Sequence, residues 1–372
     1  MDKLLFTPGP LTTSDTVKQA LVRDVGSRDT EFIQVIANIR NELTKLGKCE
    51  NTHSTILTPG SGTYSIESVI SSMVPADGAI LILNNGAYGA RMVKIAKAHG
   101  IQVIDQSCPE NEYPSAEALE ENLVHFPNIT HVALVHCETT TGIINPIQPY
   151  SEIAKKHNKA FILDAMSSFG AYEMDLNALN IDFLISSSNK CVEGLPGFAF
   201  VIANKTLLQN NANHARTLSL DLVAQWRSLE TDGQFRFTPP TNVLLAFWQA
   251  LQELYIEGGV LARADRYYAN YALTLKKMTE MGFEAYLPAE KQGYIITSYR
   301  YPKSEKFNFQ EFYEKLSEKG FLIYPGKVSS ADCFRIGHIG KLEIKQVEAL
   351  MIAIEQVLIE MEINLKGAAQ DD

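Results

Sequence analysis

Short apolar runs alternate with helical patterns between about residues 15 and 202 of the chain. Short runs that are rich in valine, isoleucine and phenylalanine predict buried strands. The predicted strands are Thr55–Leu57, Ala79–Leu83, Gln102–Ile104, His131–His136, Ala160–Leu163, Asp182–Ser186 and Phe198–Ile202. The predicted helices include Asp15–Asp24, Glu31–Leu46, Tyr64–Met73, Gly89–Ala98 and Pro149–Lys156. Seven strands alternating with helices indicate an α/β fold, with a mostly parallel seven-stranded sheet covered by helices on both faces.

The pattern changes at about Asn242, where a long helical region begins. We expect this region to bridge to a smaller α+β domain. The predicted elements of that domain are strands over 293–301 and 332–339 and helices over 307–320 and 343–362. The predicted division of the chain is an N-terminal arm at 1–14, a large domain at 15–255 and a small C-terminal domain at 256–372.

Composition and charge narrow the classes of partner. The formal net charge of −10 argues against nucleic-acid binding, because affinity for a phosphate backbone needs a basic surface. The five cysteines are scattered and form no CxxC pair, so we expect reduced thiols and no metal site. The N-terminus lacks a signal-peptide pattern, and no apolar run approaches the ~20 residues of a membrane span. We therefore expect a soluble, cytoplasmic protein without a membrane partner.

Two ionisable residues stand where apolar runs end. Asp164 follows the run FIL, and Lys190 ends the stretch DFLISSSNK. Open α/β sheets bind ligands at the carboxyl ends of their strands. A lysine that can form a Schiff base and a carboxylate that can keep a pyridine nitrogen protonated suit pyridoxal 5′-phosphate (PLP). Taken alone, Asp164 could be a cap or turn residue and Lys190 a solvated surface lysine, so the interpretation depends on their combination with a phosphate site.

The segment TPGSGT joins the first predicted strand to a helix and is a candidate phosphate site. Its glycines, including Gly62, let backbone N–H groups point inward, and Ser61 and Thr63 add hydroxyl groups at the positive end of a helix. The segment lacks the lysine of a GxxxxGK[ST] loop and the spacing of GxGxxG. A plain Gly-Ser turn is the alternative for this segment alone. Ser187 and Asn189, next to the proposed lysine, could also hold a phosphate group.

Two further strand ends carry candidate contacts to a cofactor ring. HCETTTG follows the fourth predicted strand, and its Thr139 could orient a ring hydroxyl or the imine. NNGAYGAR follows the second predicted strand, and its Tyr88 could stack on the ring. The alternatives are a threonine-rich turn and a core tyrosine.

Arg335 lies in a predicted strand of the small domain, between Phe334 and Ile336. An arginine among apolar neighbours needs an anionic partner, and its planar fork suits a carboxylate or a phosphonate. Arg335 is therefore our candidate for binding the substrate anion. A structural salt bridge is the alternative.

Several segments together resemble the class-V aminotransferases of PLP fold type I. They are TPGPLTTS, TPGSGTYSIESVI, NNGAYGAR, HCETTTGI, DAMSSFG with SSSNK, and FRIGHIG, in family order over nearly the whole chain. Within the family, these motifs are most similar to those of the members that transfer the amino group of 2-aminoethylphosphonate to pyruvate. That reaction gives phosphonoacetaldehyde and L-alanine in phosphonate breakdown. The resemblance implies a PLP-dependent transaminase with these two small-molecule substrates.

The resemblance also implies roles for individual residues. Lys190 would be the Schiff-base lysine, Asp164 the partner of the pyridine nitrogen, and Arg335 the site of the substrate anion. Thr238 would reach the phosphate of the partner subunit's cofactor, which implies a homodimer with shared active sites. The remaining implied contacts are Ser61, Gly62 and Thr63 to the phosphate and Thr139 to the ring oxygen.

Three rival functions remain open from the sequence. The nearest is an alanine–glyoxylate or serine–pyruvate aminotransferase of the same family. A PLP-dependent lyase or desulfurase is the second, although Cys333 lies inside a predicted strand and not on the mobile loop that a desulfurase needs. The third is a non-catalytic module that binds a nucleotide or phosphate through the TPGSGT segment.

Overall fold

The strands of the protein were assigned in a computed structural model that describes residues 2–210, 214–327 and 331–365. Within these ranges they are β1 Leu4–Leu5, β2 His53–Pro59, β3 Ala79–Asn84, β4 Gln102–Ser107, β5 Ile129–Val135, β6 Cys137–Glu138, β7 Ile143–Ile144, β8 Ala160–Asp164, β9 Phe183–Ser187, β10 Phe198–Asn204, β11 Ile296–Arg300, β12 Phe321–Leu322, β13 Tyr324–Lys327 and β14 Asp332–Gly337.

The helices of the same ranges are α1 Asp15–Gln19, α2 Thr30–Leu46, α3 Gly62–Met73, α4 Ala87–Ala98, α5 Ala116–His125, α6 Gln148–Lys156, α7 Lys205–Asn210, α8 Leu222–Thr231, α9 Thr241–Glu257, α10 Gly259–Met281, α11 Phe309–Glu318 and α12 Ile344–Glu360. Among them, α2, α3, α4, α6, α11 and α12 begin and end within two residues of their predicted limits, whereas α5, α7 and α8 were not predicted. Side chains fix several of these starts: Ser14 accepts a hydrogen bond from the backbone of α1, and Asp29 accepts one from α2.

A seven-stranded sheet, called the large sheet here, has the order β2-β10-β9-β8-β5-β3-β4. All seven predicted strands belong to it, so the predicted α/β architecture is confirmed. The sheet is mixed, because β10 runs antiparallel to both of its neighbours while the other pairs are parallel. Every residue of β3 is buried, as expected for a strand covered on both faces.

The parallel strands have their carboxyl ends at one edge of the large sheet, so their last residues lie close together. β8 ends at Asp164, and β9 ends at Ser187, three positions before Lys190. β2 ends at Pro59 and leads through Gly60, with a φ of 110°, into helix α3. The TPGSGT turn, the acid and the lysine therefore meet at this edge.

A second, three-stranded sheet, called the small sheet, has the order β11-β14-β13 and carries Arg335 in its central strand. Helices α11 and α12, which the sequence predicted, share one hydrophobic cluster with this sheet. The chain also pairs its arm with this region: β1 lies parallel to β12. The limits of the predicted domains, 15–255 and 256–372, stay a prediction.

The helical region after Asn242 consists of α9 and α10, which are separated by Gly258 with a φ of 112°. Two local expectations were wrong. Helix α1 ends at Gln19 and continues only as a short 3-10 turn, so the prediction to Asp24 was too long. His136 lies just outside β5. No helix among the described residues is long and apolar enough to cross a bilayer.

Candidate active site

A cavity of about 210 Å³ opens at the carboxyl edge of the large sheet. Eight residues predicted to serve a cofactor line it: Ser61, Gly62, Thr63, Tyr88, Asp164, Ser187, Asn189 and Lys190. A larger surface hollow, of about 420 Å³, lies near the amino ends of β8 and β9 and contains none of them. Of these two hollows, the smaller cavity is the candidate active site, because it brings an amine, a carboxyl group and the Gly-Ser-Gly-Thr turn together.

Lys190 reaches the cavity from the turn after β9. Its Nζ donates a hydrogen bond to the carbonyl oxygen of Pro8, at 2.7 Å. Burial is the main cause that lowers the pKa of the amine, although nearby acidic groups oppose it. A lowered pKa increases the fraction of neutral amine, which is the form that attacks a carbonyl carbon.

The N-terminal arm forms part of the wall around this lysine. Gly9 has a φ of 123°, and a Cβ atom added there would lie 2.9 Å from Lys190 Nζ. A side chain at this position would therefore be strained and would press on the amine.

Asp164 lies at the bottom of the cavity and is only 4% exposed. Its Oδ1 accepts a hydrogen bond from the backbone N–H of Met166, at 2.9 Å. Burial raises the pKa of the carboxyl group to about 6, while that hydrogen bond and the charges of Lys190 and Arg91 act in the opposite direction. A carboxyl group in this state is stabilised by any cationic or protonated nitrogen that binds beside it.

The turn between β2 and α3 offers a cradle with free donors. A Cβ atom at Gly62 would meet the flexible end of the Met166 side chain, so glycine leaves the cradle open without a shift of Met166. Ser61 is the N-cap of α3, yet its side chain makes no capping hydrogen bond. On the facing strand, the buried Ser187 Oγ has no hydrogen-bond partner among the described residues. A phosphate group would satisfy these unused donors.

Tyr88 and Thr139 are neighbours in the structure. Thr139 Oγ1 donates to Tyr88 Oη at 3.2 Å. Tyr88 lines the cavity, whereas Thr139 is fully buried and is not among the lining residues. The guanidinium group of Arg91 lies 5.0 Å from the centre of the Tyr88 ring, and it also donates to Thr63 Oγ1 at 3.3 Å. Arg91 was missed by the sequence analysis, although its position three residues after Tyr88 places both on one helix face.

Glu138 was also missed, although it is fully buried beside the site. Its carboxylate accepts hydrogen bonds from the first free N–H groups of α4, at Gly89 (2.8 Å) and Tyr88 (3.3 Å). It thereby fixes the helix that presents the Tyr88 ring. A Cβ atom at Gly86 would lie 2.5 Å from the carboxyl carbon, so glycine is needed there too. An acid directly after a buried strand was the available sequence signal.

Arg335 reaches from the small sheet towards the large one. Its Nη1 donates to the carbonyl oxygen of Thr139 at 2.8 Å, and its Nε and Nη2 donate to that of Pro325 at 3.2 and 2.7 Å. Burial lowers its pKa. Among the described residues its guanidinium group binds the carbonyl oxygens of Thr139 and Pro325 and no carboxylate, so its charge is available to a substrate anion.

Thr238 does not reach the cavity of its own chain. It is exposed on the loop that precedes α9, and it is absent from the residues that line the site. Its assignment to the partner subunit's cofactor stays a prediction.

Burial of Glu138 should make stability depend on pH. Burial raises the pKa of this carboxyl group from 4.5 to about 7 in the folded chain. The folded state therefore holds a proton that the unfolded state releases, and the free energy of unfolding should fall as the pH rises from about 4.5 to about 7. The Glu138→Gln variant should lose this contribution, on the order of 3 kcal/mol, in urea unfolding of the apoprotein at pH 5, 6, 7 and 8.

A matched control is Glu314→Gln, on the exposed side of α11. It makes the same chemical change outside the site. An equal change of pH slope in both variants would contradict the role of burial at Glu138.

Comparison with known proteins identifies the family. A sequence model described as aminotransferase class-V matches residues 13–332. The chain is 47% identical over 357 residues to the 2-aminoethylphosphonate–pyruvate transaminase of Klebsiella pneumoniae, covering 95% of this chain and 97% of that one. It is 48% identical over 358 residues to the enzyme of the same name from Bacillus cytotoxicus, with 96% and 98% covered.

Solved structures share the fold. An alanine–glyoxylate aminotransferase from Nostoc sp. superposes with a TM-score of 0.88 at 25% identity and covers 96% of each chain. A ureidoglycine–glyoxylate aminotransferase from Bacillus subtilis superposes with a TM-score of 0.89 at 21% identity and covers 99% of this chain and 97% of that one. The chain belongs to the class-V aminotransferase family.

Proposed function

We propose that this aminotransferase transfers the amino group of 2-aminoethylphosphonate to pyruvate, which gives phosphonoacetaldehyde and L-alanine. The observation that carries the proposal is Arg335, a buried cation without an ion pair in the described residues, facing the turn that holds Thr139. The name shared by relatives at 45–48% identity over nearly the full length supports the same substrates.

Pyridoxal phosphate is the cofactor of this family, and the lining residues fit it. The Gly62 cradle and the unpartnered Ser187 hydroxyl suit its phosphate group. Asp164 would hold the pyridine nitrogen, and Tyr88 would cover the ring. The remaining residues that would hold it are Ser61, Thr63, Thr139, Asn189 and Lys190. When bound, it supplies an aldehyde that condenses with amines and a ring that accepts electron density.

Lys190 performs the proton transfers of the proposed reaction. Its amine removes a proton from the substrate carbon that carries nitrogen and later returns one. Burial, which lowers the pKa of the amine, favours the neutral form needed for the first step. The Pro8 carbonyl oxygen, now 2.7 Å from Nζ, gives the free amine a fixed acceptor.

Arg335 binds the anion of both substrates in turn. The donor carries a phosphonate two carbons from its nitrogen, and pyruvate carries a carboxylate beside its carbonyl group. A planar guanidinium fork can bind either group. Three of its N–H groups donate to carbonyl oxygens, and these hydrogen bonds fix the orientation of the guanidinium group and of its remaining N–H groups.

A second subunit completes the site in this proposal. Thr238 is exposed on a loop outside its own cavity, and its neighbour Phe237 is 52% exposed. Contact of this loop with a second copy would bury Phe237 and bring Thr238 to the phosphate group of the partner's cofactor.

Two further expectations stay proposals. The first is the division of the chain into an arm, a large domain and a small domain at residues 14 and 255. The second is a cytoplasmic location, which the scattered cysteines support.

A donor screen tests the substrates. The PLP-loaded enzyme should form L-alanine from pyruvate with 2-aminoethylphosphonate as donor, measured by alanine production. Lys190→Ala is the control and should form none, since it lacks the reacting amine. Faster turnover of alanine or serine with glyoxylate would instead favour the rival aminotransferases and contradict the proposal.

Replacement of Arg335 by lysine should weaken the binding of both substrates. An ammonium group cannot form the bidentate fork, so KM should rise roughly 10- to 100-fold for 2-aminoethylphosphonate and for pyruvate. Steady-state kinetics with each substrate varied would measure this. The comparison variant is Arg300→Lys in β11, an arginine that already has a carboxylate partner, Glu284. Unchanged KM values in Arg335→Lys would remove the anion-binding role.

Mixed dimers test the shared site. Thr238→Ala and Lys190→Ala homodimers should each have low activity, while subunits mixed by unfolding and refolding should regain up to about a quarter of the wild-type activity, because one site in half of the dimers is then intact. Activity that never exceeds the sum of the two parents would place Thr238 in its own subunit's site or outside any site.

A further inference from the structure

Tyr324 and Arg335 face each other across two strands of the small sheet. In the antiparallel pair β13–β14 they are directly opposite one another. Residues in that relation project from the same face of a sheet. Neither residue is among those that line the cavity. The guanidinium group of Arg335 reaches the carbonyl oxygen of Thr139 from this face of the small sheet, so Tyr324 lies on the face that is turned towards Thr139.

The two side chains form a cation–π pair. The guanidinium carbon of Arg335 lies 4.7 Å from the centre of the Tyr324 ring. Gly326 lies two positions further along the same strand, and a Cβ atom there would lie 3.2 Å from Arg335 Cγ and 3.3 Å from its Nε. Strand β13 therefore places the aromatic face of Tyr324 against the guanidinium group, and Gly326 leaves the space that the rest of the Arg335 side chain needs.

An aromatic partner has a consequence that a carboxylate would not have. A carboxylate would neutralise the arginine and compete with the substrate for its N–H groups. A ring attracts the cation through its face and leaves the N–H groups at the edge of the guanidinium plane free. Tyr324 is 36% exposed, so the ring is not simply a core residue that happens to touch Arg335.

We propose that Tyr324 is a positioning residue for the substrate anion, because its ring holds the guanidinium group of Arg335 in place without neutralising it. The inference rests on the proposed function only in taking Arg335 as the anion site. It assigns the effect to the ring and not to the hydroxyl group.

Two non-reacting anions test the inference. Ethylphosphonate represents the donor and propionate represents the acceptor, and calorimetric titration of the holoenzyme measures their Kd. In Tyr324→Leu both Kd values should rise roughly 5- to 30-fold, which corresponds to loss of a partly desolvated cation–π pair. In Tyr324→Phe both should stay within about twofold of wild type, and Tyr324→Trp should bind at least as well as the Phe variant.

Kinetics separate positioning from general damage. Tyr324→Leu should raise KM for 2-aminoethylphosphonate and pyruvate while kcat changes by less than about threefold, because anion binding is shared by ground and transition states. Tyr255→Leu is the matched control: Tyr255 is 39% exposed and lies under Lys45 at 5.4 Å, outside the cavity. It should leave both Kd values unchanged.

Each outcome decides the inference. Unchanged binding in Tyr324→Leu overturns it, and so does equal weakening in Tyr324→Phe, which would shift the role to the hydroxyl group. If Tyr324→Leu does not fold, weakened binding in the folded Phe variant overturns it and retained binding in the Phe and Trp variants supports it. Wild-type binding of both anions without amino transfer from 2-aminoethylphosphonate would remove the proposed function alone. Absence of any anion binding in the wild type would overturn the inference.

Discussion

The burial of an acid and an amine at one edge of the large sheet is the constraint on which the site depends. Burial raises the pKa of Asp164 to about 6 and lowers that of Lys190, because both charges lose contact with water. The attraction between the two groups offsets only part of this cost, since burial is the largest cause of each shift. The cavity therefore gains most from a ligand that brings a protonated nitrogen to the acid and a carbonyl carbon to the amine.

A network of buried charges connects the lysine turn to the strand that carries the arginine. Glu193, three residues after Lys190, accepts hydrogen bonds from Arg266 at 2.8 Å and from Tyr267 at 2.6 Å, both on helix α10. The hydroxyl group of Tyr267 in turn accepts the backbone N–H of Gly340, at 3.3 Å, just after β14. Helix α10 thus connects the turn that carries Lys190 to the strand that carries Arg335. Removal of one partner from this network would destabilise the protein, because it would leave a buried charge unpaired.

The N-terminal arm closes the remaining side of the site. Phe6 is fully buried in the core of the small sheet, and the backbone N–H of Gly337 donates to its carbonyl oxygen at 3.0 Å. A Cβ atom at Gly337 would clash with the backbone of Thr7. The arm is therefore packed as closely as a strand, and this packing presents the Pro8 carbonyl oxygen to Lys190. Three residues of the arm, Phe6 to Pro8, therefore link the core of the small sheet to the amine of Lys190.

Local pattern was sufficient for the seven strands of the large sheet and for the helices that it predicted, but not for the two-residue strands or for α5, α7 and α8. Apolar runs marked the strands of the large sheet, and the polar residues Asp164 and Lys190 at their ends pointed to the edge that holds the candidate site, because strand period and capping depend on near neighbours. The antiparallel direction of β10 had no such signal. Contacts between distant segments were decided only by the tertiary structure: Glu138 meets Gly89 across 49 positions, and Arg335 meets the carbonyl oxygen of Thr139 across 196. A buried charge takes whichever partner the packing of the whole chain brings to it, and that partner leaves no trace in the residues beside it.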